Sequence, residues 1–325
     1  MSSSIPRHHT VRVPATSANL GPGYDAFGIA VDLHLVVQSV PREVQPERVS
    51  GGGECHQIDG GDDNLIWRAV VAFCQRHGVA VPDVALRTTS AIPLERGLGS
   101  SSSAIVAGLV LARALTAAAV SDRDLVALAD ELEGHPDNIA PALLGGLVVC
   151  SRDDRGTVVT RRVNPTPRLR PVLYVPATRQ STSDARAVLP DHLDVADVAV
   201  QASRAGHVLG ALSGLWPADP GLSGDRLHEP ARAAVMGPST DLLAELRAAG
   251  VHAWLSGAGP SLASAVPDGG GEDGLARTCD ELAARHGFTA RLQRFDLSGA
   301  VACPDGGCAF AGGTGCASCP RQGLS

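Results

Sequence analysis

The sequence predicts a mixed α+β fold. Segments with strand-like alternation and β-branched content recur along the chain, and amphipathic stretches with helical spacing fall between the strands of the first half. Length adds a third observation. At 325 residues the chain exceeds the size at which one hydrophobic core usually keeps growing, so two associated lobes or one large domain are expected.

Taken in order, TVRVP alternates as a strand, breaks at the polar, glycine-rich stretch TSANLGPGYDAFG, and resumes as a strand from Ile29 to Val40. Leu65, Ala69, Val70 and Phe73 mark an amphipathic helix over 64–77, with Asp62 and Asp63 as capping candidates. Val84 to Thr88 is a short strand leading into a glycine-serine loop, and a helix begins near Ser101. Ser121 caps a helix running to about Glu133, which Gly134 and Pro136 end. Strands are expected at 145–149, 158–163, 170–176 and 288–296, and a mostly helical stretch over 225–246, broken at Pro230 and Pro238. VHAWLSGAGPSLASAV reads as strand, glycine turn and apolar continuation. Residues 51–61 and 269–274 have linker composition.

Composition narrows the function classes. With 44% hydrophobic but 3% aromatic residues the interior is built from Ala, Val and Leu, and a net charge of -7 lacks the basic footprint of a nucleic-acid binder. All 27 basic residues are Arg, which excludes any mechanism that needs a lysine amine, the phosphate-gripping lysine of a P-loop included. The N-terminus lacks a signal-type apolar region and no 18-residue span is uninterrupted by polar residues, so no membrane partner is expected and a cytoplasmic location is. Cys55, Cys74, Cys150 and Cys279 are scattered singly and read as small buried residues.

Four segments can carry chemistry. In PLERGLGSSSSA, Gly97 and Gly99 let backbone N–H groups approach a ligand while the helix that follows points its free N–H groups at the same spot, an anion site suited to phosphate. The plain alternative is a turn with a serine cap. ELEGHPDNIAP brings acids and His135 together for metal ligation, hydroxyl orientation or proton acceptance, against a solvated helix end. Asn19 and Asp25 in PATSANLGPGYDAFG can clasp an ammonium or hydroxyl, and LSGAGPSLASAV is a second glycine loop able to tighten against the first. Each alone also fits an ordinary turn.

Together and in this order, PATSANLGPGYDAFG, PLERGLGSSSSA and SGAGPS resemble the three motifs of the GHMP kinases, and EGHPDNIAPALLGG looks specifically like the homoserine kinase branch. DDNLIWRA, STSDARAVLP, HEPAR and RFDLSGA extend the resemblance over about residues 10–300. It implies ATP-dependent phosphorylation of the side-chain hydroxyl of L-homoserine to O-phospho-L-homoserine, on the route to threonine. It also implies a two-lobed fold: an N-terminal, ATP-binding lobe over 10–165 like ribosomal protein S5 domain 2, a ferredoxin-like lobe over 166–300, and a disordered Gly/Cys-rich tail over 301–325.

Carried over residue by residue, the loop Pro93, Leu94, Glu95, Arg96, Gly97, Leu98, Gly99, Ser100, Ser101, Ser102 and Ser103 wraps the ATP phosphates, with Gly257 and Gly259 against it and Asn64 near the nucleoside. Ser101 and Glu131 are the choice for Mg, with Glu133 as the rival acid because the family varies in length just before HPDN. Asn19, Asp25, His135, Asp137 and Asn138 hold the amino and hydroxyl end of homoserine, and Arg186 and Arg232 clamp its carboxylate. Asp137, His135 and Ser101 are the catalytic candidates, with Asp137 either taking the hydroxyl proton or orienting it. A homodimer is common for the family. The alternatives are a GHMP kinase for another small hydroxy or amino acid and a catalytically idle nucleotide-binding relative.

The chain departs from the pattern in its third and fourth serines, in Ser261 where Thr is commoner, and in Cys303, Cys308, Cys316 and Cys319, which the family does not require. Their spacing lacks paired CxxC units, and a disordered extension is preferred to a metal site.

Overall fold

A computed structural model of the chain describes residues 8–54, 60–179, 182–268 and 274–304. The first lobe holds β1 (His9–Ala18), β2 (Phe27–Pro41), β3 (Val49–Gly53), α1 (Leu65–His77), β4 (Val84–Ser90), α2 (Ser100–Thr116), α3 (Asp122–Glu133), α4 (Pro136–Leu144), β5 (Leu147–Arg152) and β6 (Val158–Val163). The long strand β2 organises its sheet. Its start pairs with β5 and its end with β4, both antiparallel, while β1 runs antiparallel along it with a register shift between Pro14 and Ala15. The helix α2 is buried on nearly every face, from Ser102 through Leu115, as expected for the central helix under that sheet.

The second lobe contains β7 (Leu169–Pro176), α5 (Thr182–Ala187), α6 (Val195–Ser213), α7 (His228–Ala233), α8 (Gly237–Ala248), β8 (His252–Leu255), β9 (Leu262–Pro267), α9 (Leu275–Arg285) and β10 (Phe288–Leu292). Its four strands form an antiparallel sheet in the order β10-β7-β9-β8, against which α8 and α9 pack. The main apolar cluster crosses the lobe boundary: Leu173, Val175, Val208, Leu212 and Trp254 join the core built on β1, β2 and α2.

Several expectations need correction. Gly51–Gly53 is not linker: it belongs to β3, which pairs in parallel with β4. The cap of α1 is Asn64, whose side chain accepts from Ile66 N at 3.0 Å, not Asp62 or Asp63. The final expected strand stops at Leu292, and a short strand β11 (Val301–Pro304) returns to pair with β1, with Cys303 fully buried. The last part of the expected 166–300 lobe and the start of the expected 301–325 tail therefore complete the first sheet. Cys55, Cys308, Cys316 and Cys319 lie outside the described residues, while Cys74, Cys150 and Cys279 are buried free thiols.

The RFDLSGA segment makes that return. Arg294 O and Asp296 N bond Asp32 N and Ala30 O at 2.9 and 3.0 Å, and the Asp296 carboxylate accepts from Ser298 N, Gly299 N and the His34 Nε2–H, at 2.7, 2.7 and 2.9 Å. Burial opposes ionisation of Asp296, yet His34 and the two backbone N–H groups outweigh it and hold the carboxyl below its ordinary value. A carboxyl depressed in the folded state stabilises above its unfolded pKa, and the contribution is lost as pH falls through the folded one. Asp296→Asn is therefore expected to cost about 2 kcal/mol at neutral pH. Urea titrations of both proteins should show that gap shrinking below about pH 4; a gap of unchanged size would count against this role.

Candidate active site

A cavity of about 560 Å³ lies between the lobes. One wall is the segment Leu94 to Ser102, where the chain leaves β4 and enters α2. Gly99 caps α2 at φ 67, and a Cβ there would come within 1.9 Å of Thr16 Oγ1, so only glycine lets the helix start this close to β1. Ser100, Ser101 and Ser102 of the first turn line the cavity, a helix start that carries free N–H groups and no cationic side chain. Asn64 lines this wall together with Leu35, Leu65, Ser90 and Ala104, an apolar recess beside the loop.

The four serines divide the work. Ser100 lines the cavity. The hydroxyls of Ser101 and Ser102 donate to Glu133 at 3.4 and 2.9 Å, and Ser103 turns inward to donate to Pro14 O at 2.9 Å, pinning α2 to β1. Burial pushes the Glu133 carboxyl above its ordinary value, against the pull of Ser102 and His135. Glu131 sits elsewhere: it is exposed and paired with Arg76, outside the cavity. Of the two acids weighed for the metal, the first choice, Glu131, thus lies outside the cavity, and the rival, Glu133, lines it. Residues two apart on a helix lie about 200° apart around it, and Leu125, Ala129 and Glu133 share the buried face of α3.

Beside the loop, α4 brings its first turn to the same cavity. Gly28 makes room for it, because a Cβ there would fall 1.7 Å from Asp137 O. Asp137 is 2% exposed and its Oδ1 lies 3.1 Å from His135 Nδ1 and 3.4 Å from Asn138 Nδ2. Asn138 Oδ1 accepts from Thr16 at 2.8 Å. Burial of His135 opposes its positive charge, but Asp137 and Glu133 outweigh it and raise the imidazole above its ordinary value.

Two arginines close the far end. Arg186 of α5 makes a two-pronged pair with Asp25, at 2.7 and 3.0 Å, and donates to the Tyr24 hydroxyl at 2.8 Å. Arg232 of α7 is 2% exposed and donates to Ala185 O, Gly257 O and His228 Nδ1. Because arginine only donates, His228 carries its proton on Nε2, which donates to Gly21 O at 2.9 Å. Burial lowers the Arg232 guanidinium below the ordinary arginine value, so an anion brought against it is favoured. Asn19 Nδ2 donates to Gly257 O, and its Oδ1 accepts from Asp25 N.

The structure therefore brings Asn19, Asp25, Asn64, Glu133, His135, Asp137, Asn138, Arg186, Arg232 and Gly257 to one cavity with the loop. Pro93, Ser103 and Gly259 do not line it. Gly259 faces Met236 and Leu255, where a Cβ would come within 2.8 and 3.0 Å, so it shapes the turn rather than meeting a ligand. Sequence reading missed Tyr24, whose ring is close to both Arg186 and Arg232, with guanidinium carbons 5.6 and 5.8 Å from its centroid. It also missed Arg179, which lines the cavity and pairs with Glu95 at 3.6 Å. Ser181, within the STSDAR motif, lies outside the described residues.

Residues 64–146 match the family model "GHMP kinases N terminal domain". The homoserine kinase of Synechococcus sp. is 41% identical over 79% of this chain and 86% of its own length. That of Desulfitobacterium hafniense is 36% identical over 90% and 98% respectively. The crystal structure of homoserine kinase from Cytophaga hutchinsonii superposes with a TM-score of 0.75 at 22% identity, covering 93% of this chain and 99% of that one.

Proposed function

The chain belongs to the homoserine kinases of the GHMP kinase family, and from that premise we propose that it transfers the γ-phosphoryl group of ATP to the side-chain hydroxyl of L-homoserine. The observation that supports this best is that one cavity is lined both by the glycine loop with the start of α2 and by Asp25, Arg186 and Asp137.

Phosphoryl transfer asks the protein mainly to position the reactants and to offset charge. The backbone N–H groups of the glycine loop and of α2 take the phosphates, which is why a chain without lysine suffices. Ser101, Ser102 and Glu133 fit Mg: they are hard oxygen donors, few in number, beside a phosphate site, and the buried carboxylate gains from a cation. When bound there, Mg would offset the charge on the β- and γ-phosphates. Arg186 and Arg232 take the carboxylate of the amino acid, and Asp25 and Asn19 its ammonium. Asp137 accepts the hydrogen bond of the hydroxyl and orients it. As the oxygen–phosphorus bond forms, the bond from the γ-phosphorus to the bridging oxygen breaks, ADP departs with that oxygen, and Asp137 receives the hydroxyl proton. His135 keeps Asp137 in place and its raised pKa favours a positive charge beside it.

Among the described residues no helix is long and apolar enough to cross a membrane. An assay coupled to ADP release, run with homoserine, threonine, mevalonate and shikimate, is expected to show turnover with homoserine. Turnover of another alcohol without turnover of homoserine would overturn the substrate assignment, and nucleotide binding without any acceptor-dependent ADP release would overturn catalysis.

A further inference from the structure

A buried chain of hydrogen bonds runs from the second lobe to the phosphate loop. Trp254 Nε1 donates to Ser17 Oγ at 2.9 Å, Ser17 Oγ lies 2.8 Å from Ser256 Oγ, and Ser256 Oγ donates to Gly97 O at 2.7 Å. Its direction is forced. An indole N–H only donates, a carbonyl only accepts, and each hydroxyl has one hydrogen. The Ser256 hydrogen goes to Gly97, so the hydrogen shared between the serines comes from Ser17, whose lone pair receives the indole. Trp254, Ser17 and Ser256 are each 0% exposed, so water cannot take over these roles.

A planar trans peptide points its carbonyl and the next N–H in opposite directions. Holding Gly97 O on Ser256 thus turns the Leu98 N–H away from the Ser256 hydroxyl, and Leu98 is among the residues that line the cavity. The neighbouring peptides are held in the same manner: Arg96 O accepts from Ser261 N at 3.3 Å and Leu98 O from Thr16 N at 3.2 Å. Gly97 and Gly99 are both left-handed, at φ 73 and 67, and left-handed residues that alternate with right-handed ones gather successive N–H groups around an anion.

We infer that Trp254 is a positioning residue for the phosphate loop: its indole N–H, acting through Ser17 and Ser256, fixes the Gly97–Leu98 peptide so that Leu98 N–H meets the nucleotide phosphates. This rests on the ATP reading. Chains of this kind strengthen each member in a buried setting, and the donor farthest from the loop has the smaller effect.

The test compares ATP with adenosine, which lacks phosphates. Ser256→Ala is expected to raise the KM for ATP roughly tenfold and Trp254→Phe, which keeps an aromatic but smaller side chain and removes the N–H, about threefold. The inhibition constant of adenosine should stay at the wild-type value in both. Parallel weakening of ATP and adenosine would make the chain merely structural and overturn the inference, as would an unchanged KM for ATP in Trp254→Phe. Should Trp254→Phe fail to fold, Ser17→Ala cuts the chain at its middle and is held to the same outcomes. A wild-type protein that binds ATP no better than adenosine would instead overturn the nucleotide reading itself.

Discussion

Glu133→Gln is expected to lower kcat by roughly 10²- to 10³-fold while Glu131→Gln stays within about twofold of wild type. The two acids are two positions apart in sequence, and the fold gives them different surroundings. Glu133 faces the serine-lined start of α2, takes hydrogen bonds from Ser101 and Ser102, and is pushed by burial toward its neutral form until a cation offsets the cost. Glutamine keeps the shape and one acceptor oxygen but removes the charge that a divalent ion needs. Glu131 pairs with Arg76 in solvent, where such a pair contributes little. Raising the Mg concentration should partly restore the Glu133 variant, because weakened metal binding is then overcome by mass action. Equal losses in the two variants, or a loss in Glu131→Gln alone, would show that the metal acid was misassigned.

Arg186→Ala is expected to raise the KM for homoserine roughly a hundredfold and to leave that for ATP within about twofold. Arg186 is bound to Asp25 and Tyr24. A zwitterionic amino acid offers a replacement for both halves of that pair, an ammonium for Asp25 and a carboxylate for Arg186, so binding exchanges ion pairs instead of desolvating new charges. Alanine removes the fork and leaves the ligand carboxylate against Arg232 alone. Initial-rate kinetics with each substrate varied separately checks this, and equal increases in both KM values would speak against a carboxylate role.

The glycine-serine loop at the start of α2 could be read from the chain because its pattern is local. Gly97, Gly99 and the serines lie side by side, and the helix that completes the anion site follows at once. The distinction between Glu131 and Glu133 was also present in the helical spacing, since Leu125, Ala129 and Glu133 recur every four residues on the buried face. What stayed hidden depends on contacts between distant segments. Tyr24 meets Arg186 across 162 residues, and Ser17 meets Trp254 across 237. Tyr24 and Ser17 both lie inside the PATSANLGPGYDAFG segment, yet nothing in that segment tells which distant residue each one meets. The return of β11 to β1 was likewise invisible, because Val301 to Pro304 is a short strand whose partner lies at the other end of the chain. Gly51–Gly53 misled for a related reason: glycine suggests a loop, and only pairing with β4 makes it a strand.

The central claim is that one cavity holds the phosphates against the glycine loop and the amino acid against Asp25 and the two arginines, with Asp137 between them. A crystal structure of the protein with L-homoserine, Mg and a non-hydrolysable ATP analogue tests it directly. The expected result places the polyphosphate on the backbone of Gly97 to Ser101, the metal on Glu133 and the homoserine hydroxyl on Asp137. Phosphates bound away from the start of α2, or homoserine bound away from Arg186 and Asp137, would contradict it.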